Sequence, residues 1–444
     1  MTSSKSRCMH RWGVAPSQKV AALIVTGLVM LATTNTAMAA GFYLSAIGTP
    51  ISVGSAGVGN VVNNVGPDAA WANPAGLTGI KRPAILTGAT VIAPFAEWDE
   101  GVSEAGGTEG SNTGQPAVVP SLAYAQPLTD KWSFGFAFSA LQGGGVDYGD
   151  GFVGRYGATE VVLQGVGATW SFGWQATDKL ALGFGGSLVY TQFEQKIAIN
   201  QSAVAPGTPD GKVEFKDLDD LGIQPILGLQ YQLTDRWLLG LSWRGEFDAE
   251  LDGNIRLKNL APGVPIAGRG NLEIDWDNPQ WVEAGLKFEV KPGRYLMFGM
   301  NWQEWSEFSS NQLSIDASNP VVPPIAVVLD RQFDDTWGFG IAYGVSQGIM
   351  REAEPASGWI FGASYETSPV SDGKRTIDLP FDESIRLSTG YFRHGKDKYD
   401  WSVQGQLQIF GDSRVDQTIQ GARFSGEFDP FIVAYLSATL RFDH

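Results

Sequence analysis

One pattern restricts this chain more than any other. Apolar residues alternate with polar or small ones, in segment after segment, from about residue 83 to the end. Between Lys131 and Ala140, Trp132, Phe134, Phe136, Phe138 and Ala140 share one face, while Lys131, Ser133, Gly135, Ala137 and Ser139 share the other. Successive side chains of a strand point to opposite sides, so one face wants an apolar medium and the other accepts water or close packing. Trp237, Leu239, Leu241, Trp243 and Phe247 oppose Arg236, Ser242, Arg244 and Glu246. Leu180, Leu182, Phe184, Leu188 and Tyr190 share a face; Trp401, Val403, Leu407 and Ile409 oppose Ser402, Gln404, Gln406 and Gln408. The last segment sets Ile432, Ala434, Leu436, Ala438, Leu440 and Phe442 against Ser437, Thr439 and Arg441.

The connections carry a second pattern. Short turns fall at 129–131, 177–179, 234–236, 291–294 and 395–398, and three of them read Thr-Asp followed by Lys or Arg, a repeated tight-turn signature. Long polar connections lie near 98–116, 142–158, 198–221, 253–269, 316–330, 367–381 and 412–428. Short and long alternate, although the connection at 346–356 is longer than that rule expects. The reading gives fourteen strands, near 83–97, 117–127, 131–142, 159–176, 178–197, 222–233, 236–252, 270–290, 294–315, 331–345, 357–367, 382–393, 398–411 and 429–442. An even number of antiparallel strands, with short turns at one end and long loops at the other, is the signature of an all-β transmembrane barrel of the bacterial outer membrane. Trp132, Trp237, Tyr295 and Trp401 lie at or near short-turn ends, where an aromatic girdle is expected. A soluble β-sandwich would leave the alternation of turn lengths unexplained.

The N-terminus reads as an export signal. Lys5, Arg7, Arg11 and Lys19 precede the apolar run Val20–Thr33, and Ala37-Met38-Ala39 supplies an A-x-A cleavage pattern. The run is short of the ~20 residues of a spanning helix. Residues 1–39 hold four of the 31 basic residues and none of the 47 acidic ones, so the remainder carries 27 − 47 = −20. Such an acidic chain is not a nucleic-acid binder. Cys8, the sole cysteine, falls in the same segment. No later stretch is continuous enough for a membrane helix, so an exported chain of this kind is soluble or crosses a membrane as strands.

Between the cleavage pattern and the first strand lie about 40 residues, including Asn63–Ile80, NNVGPDAAWANPAGLTGI. Small residues suit it to packing inside a tube, and Pro67 and Pro74 stop long helices. A fourteen-stranded barrel encloses more space than its own inward side chains fill. The expected organisation is a signal peptide at 1–39, a lumenal hatch at 40–82 and the barrel at 83–444.

These motifs resemble the FadL-type outer-membrane transporters of hydrophobic compounds. The resemblance rests on AGFYL at Ala40, DAAWANPAGL from Asp68 to Leu77, GRYGATE from Gly154 to Glu160, DWDNPQWVEAG from Asp275 to Gly285, NWQEWSEF from Asn301 to Phe308 and YETSPV from Tyr365 to Val370. It implies a monomeric, multi-pass barrel set among outer-membrane lipid and lipopolysaccharide. It implies passive carriage of long-chain fatty acids, or of monoaromatic hydrocarbons. Substrate is caught at the extracellular loops, held in an apolar lumen pocket, and released sideways where the third strand kinks. By residue, it implies a hatch motif at Asn73, Pro74 and Ala75, and substrate contact at Ala40, Gly41 and Phe42. Gly135, Gly143, Gly144 and Gly145 are the kink candidates. Arg155 and Tyr156 match the GRY segment, where a loop-structural role competes with substrate contact. Phe442 is in register for the terminal aromatic of such barrels, but Asp443 and His444 follow it.

Other functions fit less well. Beyond residue 39 the histidines are His394 and His444, with no Gly-x-Ser-x-Gly elbow, so nucleophilic catalysis lacks its usual base. With no Cys and two His there, metal-ligand clusters are not expected either, and no cofactor is implied. A general diffusion porin would lack the hatch. An adhesin or phage receptor on the acidic loops is compatible with transport.

Overall fold

A computed structural model describes residues 50–110, 114, 116–202, 206–261, 268–317, 325–345, 357–394 and 399–443. The expected export segment, Ala40–Phe42, the connections 346–356 and 395–398, and His444 lie outside them.

Among the described residues the strands form fourteen antiparallel staves. In chain order they are β1 Ala84–Ser103, β2 Ala117–Pro127, β3 Trp132–Asp147, β4 Glu160–Gln175, β5 Leu180–Ile199 and β6 Gly211–Thr234. Four staves are broken in two: β7 Trp237–Arg244 and Phe247–Lys258, β8 Arg269–Asn278 and Trp281–Lys291, β9 Arg294–Gln303 and Ser310–Ala317, β10 Ile325–Asp330 and Thr336–Val345. Then come β11 Ser357–Glu366, β12 Ser384–His394, β13 Tyr399–Phe410 and β14 Ala422–Asp443. Each stave pairs with its chain neighbours, and β14 returns to β1 along Ala84↔Asp443 to Ser103↔Phe424, so the sheet closes on itself. The extra strand Val415–Ile419 folds back onto the start of β14.

The alternation sorts by medium as expected. Phe184, Leu241, Phe339, Leu407 and Leu436 are exposed on the outer face, while Ser133, Ser242, Gln404, Gln406 and Thr439 are buried on the inner one. Outward rings gather near the short turns: Trp132 stacks on Trp174 at 5.7 Å, Trp237 on Phe288 at 4.4 Å, and Tyr391 lies 5.7 Å from Trp401. Tyr295 departs from the girdle expectation. It faces inward, 6% exposed, with the Lys287 ammonium 5.8 Å from its ring.

Several staves outrun their expected ends on the long-loop side. β6 begins at Gly211 rather than near 222, the second half of β7 reaches Lys258, and β14 starts at Ala422. There the alternation pairs charged residues with apolar ones, as in Lys212-Val213-Glu214-Phe215. Above the lipid the outward face meets water, so an apolar stripe is no longer required and the segment reads as loop.

Candidate functional site

Residues 50–80 lie against the inner faces of the staves. Asn73 organises them. Its side-chain oxygen accepts from the Ala75 amide at 3.2 Å, and Pro74 opens the 3-10 turn Pro74–Gly79. Asparagine before proline is a natural start for such a turn, because Asn satisfies a free amide and Pro has none to satisfy. The Asn73 amide nitrogen donates to the Val61 carbonyl at 2.8 Å and to the Leu229 and Leu241 carbonyls of β6 and β7, each at 3.2 Å.

Wall side chains bind further carbonyls of this segment. Ser388 donates to Gly54, Ser364 to Ala56, Lys287 to Val62, Arg441 to Val65, Ser171 to Ala70 and Ser242 to Ala72, at 2.9–3.2 Å. Arg244 donates to the Trp71 carbonyl and sits 4.7 Å from the Trp71 ring. Glycines let the backbones touch. A Cβ at Gly183 would overlap the Ala75 amide, one at Gly228 the Asn73 side chain, and one at Gly240 the Val61 carbonyl. Gly135 belongs to this set, since its Cβ would lie 2.6 Å from that of Ala70.

The third stave does something different. Its ladder to β2 runs from Pro127↔Ser133 only to Leu122↔Phe138. β2 continues beside β1 to Ala117↔Ile92, and β3 beside β4 to Asp147↔Glu160. Among the described residues no ladder joins 117–121 to 139–147. A register shift falls between Ala140 and Gln142. Leu141 is the extra residue of this bulge, and residues 140–146 are all buried, so the stave has left the outer surface. A bulge of this kind bends the strand that carries it. Gly143, Gly144 and Gly145 follow the bulge and pair regularly with Gln164, Leu163 and Val162, while Gly135 pairs regularly with Ser171. Beyond the bulge, the Gln142 amide donates to the Asn278 side chain of β8. That contact spans the bore.

Toward the long loops the inward side chains are aromatic. Trp276 lies 5.0 Å from Phe193 and 4.7 Å from Phe308; Trp98 lies 5.0 Å from Phe428; Phe410 stacks on Phe431 at 4.5 Å. The connection after β11 closes over them with Val370, Ile377 and Leu379 buried. Arg375, 1% exposed, anchors it on Asp382 at 2.7 Å and on the Phe381 and Arg414 carbonyls. Arg155 is spent in the same way. It pairs with Asp210 at 2.7 Å and donates to the Gly106 and Ala105 carbonyls, while Tyr156 donates to Asp210 at 3.0 Å. The GRY segment thus clips loops together. Among the described residues no cluster of His, Cys, Asp and Glu could hold a metal.

A closed barrel with an apolar outer band, an aromatic upper bore and an occupied lower bore is a membrane-spanning transport barrel. The family profile described as "Outer membrane protein transport protein (OMPP1/FadL/TodX)" matches residues 30–409. The "Long-chain fatty acid transport protein" of Escherichia coli O6:H1 is 25% identical over 353 residues, covering 72% of this chain and 75% of that one. A Pseudomonas aeruginosa FadL homologue superposes with a TM-score of 0.80 at 17% identity, covering 91% of this chain and 100% of that one. The P. putida toluene transporter TodX does so at 0.66 and 18% identity, covering 85% and 94%. The chain belongs to the OMPP1/FadL/TodX family: it is an outer-membrane transporter of hydrophobic compounds and not an enzyme.

Proposed function

We propose that this protein carries long-chain fatty acids passively across the outer membrane, by capture at the extracellular loops, residence in the aromatic upper bore and sideways release between β2 and β3. The observation that carries this reading is the interrupted β2–β3 ladder beside the Leu141 bulge. An acyl chain gains about 0.8 kcal/mol for each methylene removed from water. The aromatic bore supplies that surface. Below it the bore is lined by Ser, Thr, Gln and Arg and filled by residues 50–80, so an apolar ligand loses its solvent by continuing downward. A sideways step into lipid keeps it dry. Leu141 is the kink, with Gly143–Gly145 as the flexible run behind it. Residues 40–82 act as the hatch, seated by Asn73, Pro74 and Ala75, and residues 83–444 as the barrel. Ala40, Gly41 and Phe42 touch the ligand from below. The protein works as a monomer, surrounded by lipid and lipopolysaccharide. Curated relatives named for long-chain fatty acids favour that cargo over toluene.

The test is uptake of labelled oleate and labelled toluene in a deletion strain complemented with wild type or with a variant lacking Leu141. Deleting the bulge residue restores unbroken alternation in β3 and so closes the wall. Oleate uptake should return with wild type and fail with the deletion variant, while toluene uptake stays independent of either. Undiminished oleate uptake by the folded deletion variant would refute sideways release.

A further inference from the structure

The lateral gap accounts for the β2–β3 side of the bore. The opposite side holds features that an apolar cargo does not explain. Among the described residues, three cavities stack along β8–β12, from the long-loop end toward the short-turn end. The upper one lies between Gln303, Thr336, Ser384 and Gln408. The middle one lies against residues 56–61 and is lined by Glu283, Asn301 and Ser364. Glu366 and Arg386 line both, joined by an ion pair of 3.0 Å. The lower cavity flanks the same N-terminal segment at Gly59, Val62 and Asn63 and meets Lys287. Each is large enough for a water or two. Beside this stack, Gln404 and Gln406 are 1% and 3% exposed, and among the described residues neither amide oxygen nor amide nitrogen of either residue has a hydrogen-bond partner. Buried amides left so are satisfied by ordered water. Charged groups in a bore are costly unless they are paired or hydrated.

We propose that β8–β12 carry a second, hydrated pathway past the N-terminal segment, for water and small hydrophilic solutes, held shut by an apolar constriction. The constriction is the lower cavity, where Met297, Ile360 and Phe392 pack with Val58 and Val62. A narrow apolar ring stops water and ions by dewetting rather than by filling the space. The Glu366–Arg386 pair above it is the point every solute passes. This pathway is independent of which hydrophobic compound the protein carries, and its failure would leave the uptake reading untouched.

The test is planar-bilayer conductance of the purified full-length protein, with folding checked by the electrophoretic shift on heating. Wild type should be nearly silent. I360S/F392S should raise single-channel conductance by about tenfold, because polar residues wet the ring. In that background a cysteine at Ser364, treated with a charged membrane-impermeant thiol reagent, should block the current. Cys8 is the only native cysteine, so with Cys8→Ser included the reagent reports the introduced site. Oleate uptake should persist in I360S/F392S. A folded I360S/F392S protein as silent as wild type would overturn the proposal. So would a current insensitive to modification at 364, or loss of oleate uptake together with the gain in conductance.

Discussion

The upper and lower halves of the bore are built by one rule and look like two proteins. Every stave alternates, and on the outside both halves of the membrane band are apolar. Inside, the long-loop half presents Trp98, Phe193, Trp276, Phe308 and Phe428, whereas the short-turn half presents Ser171, Ser242, Gln404, Ser437 and Thr439. Lipid dictates the outward residue throughout the membrane band. What dictates the inward residue is whatever stands opposite it: apolar partners above, the carbonyls of residues 50–80 below. On the proposed function, the contrast makes the upper half a place for a hydrophobic ligand and the lower half a seat.

That contrast can be attacked most severely at the seat. Gly183→Phe puts a ring where the Ala75 backbone lies, so the segment should be expelled. Limited proteolysis of the detergent-solubilised protein should then cut within residues 50–80, where wild type resists; continued resistance would mean that the wall can yield. The next largest effect belongs to the aromatic half. W276A/F308A should weaken fatty-acid affinity by roughly 3 kcal/mol, about a hundredfold, measured by fluorescence titration. An unchanged affinity would place the ligand elsewhere. At the boundary between the halves, Gln142→Ala should leave Asn278 with a lost partner at a cost of about 1–3 kcal/mol. Uptake rates for Q142A, N278A and the double variant should be non-additive, and additivity would deny the tie a role. Asn73→Ala removes a donor from the Val61, Leu229 and Leu241 carbonyls and should cost a similar 1–3 kcal/mol, read as a lower unfolding temperature with the barrel intact. Smallest is the distinction between Trp237→Leu, which should alter only interfacial anchoring, and Tyr295→Leu, which should alter only the inner face. Quenching by lipid-borne bromine should register a change in the first and none in the second.

How much of this was visible in the residues themselves depends on which neighbour each one faces. Leu241 and Leu436 face lipid, a uniform partner, so their spacing alone announces a strand and its outer side. Turn lengths then count the staves. Lys212–Phe215 faces water on one side, and a strand there cannot be told from a loop. Tyr295 sits where a girdle residue would, and only its parity against Met297 hints that it turns inward. The family resemblance points to Gly135 and Gly143–Gly145 for a kink, while the bulge in the β3–β4 ladder falls at Leu141, an extra residue rather than a small one. The glycine cradle left a trace that could have been followed. Gly135, Gly183 and Gly240 all occupy inward parity positions, each the fourth residue of its stave, and a missing side chain there means that another backbone is close. Gln142 and Asn278 left none, since a contact between β3 and β8 exists only once the cylinder has closed.

The hydrogen bonds made by residues 50–80 have a consequence for how the molecule is made. Their carbonyls are claimed by Ser171, Ser242, Lys287, Ser364, Ser388 and Arg441, which are scattered over most of the chain. The full set of donors cannot be in place until nearly the whole circumference has formed. The portion that leaves the ribosome early must therefore travel unpaired to the membrane and find its last partner, Arg441, only when the final stave arrives.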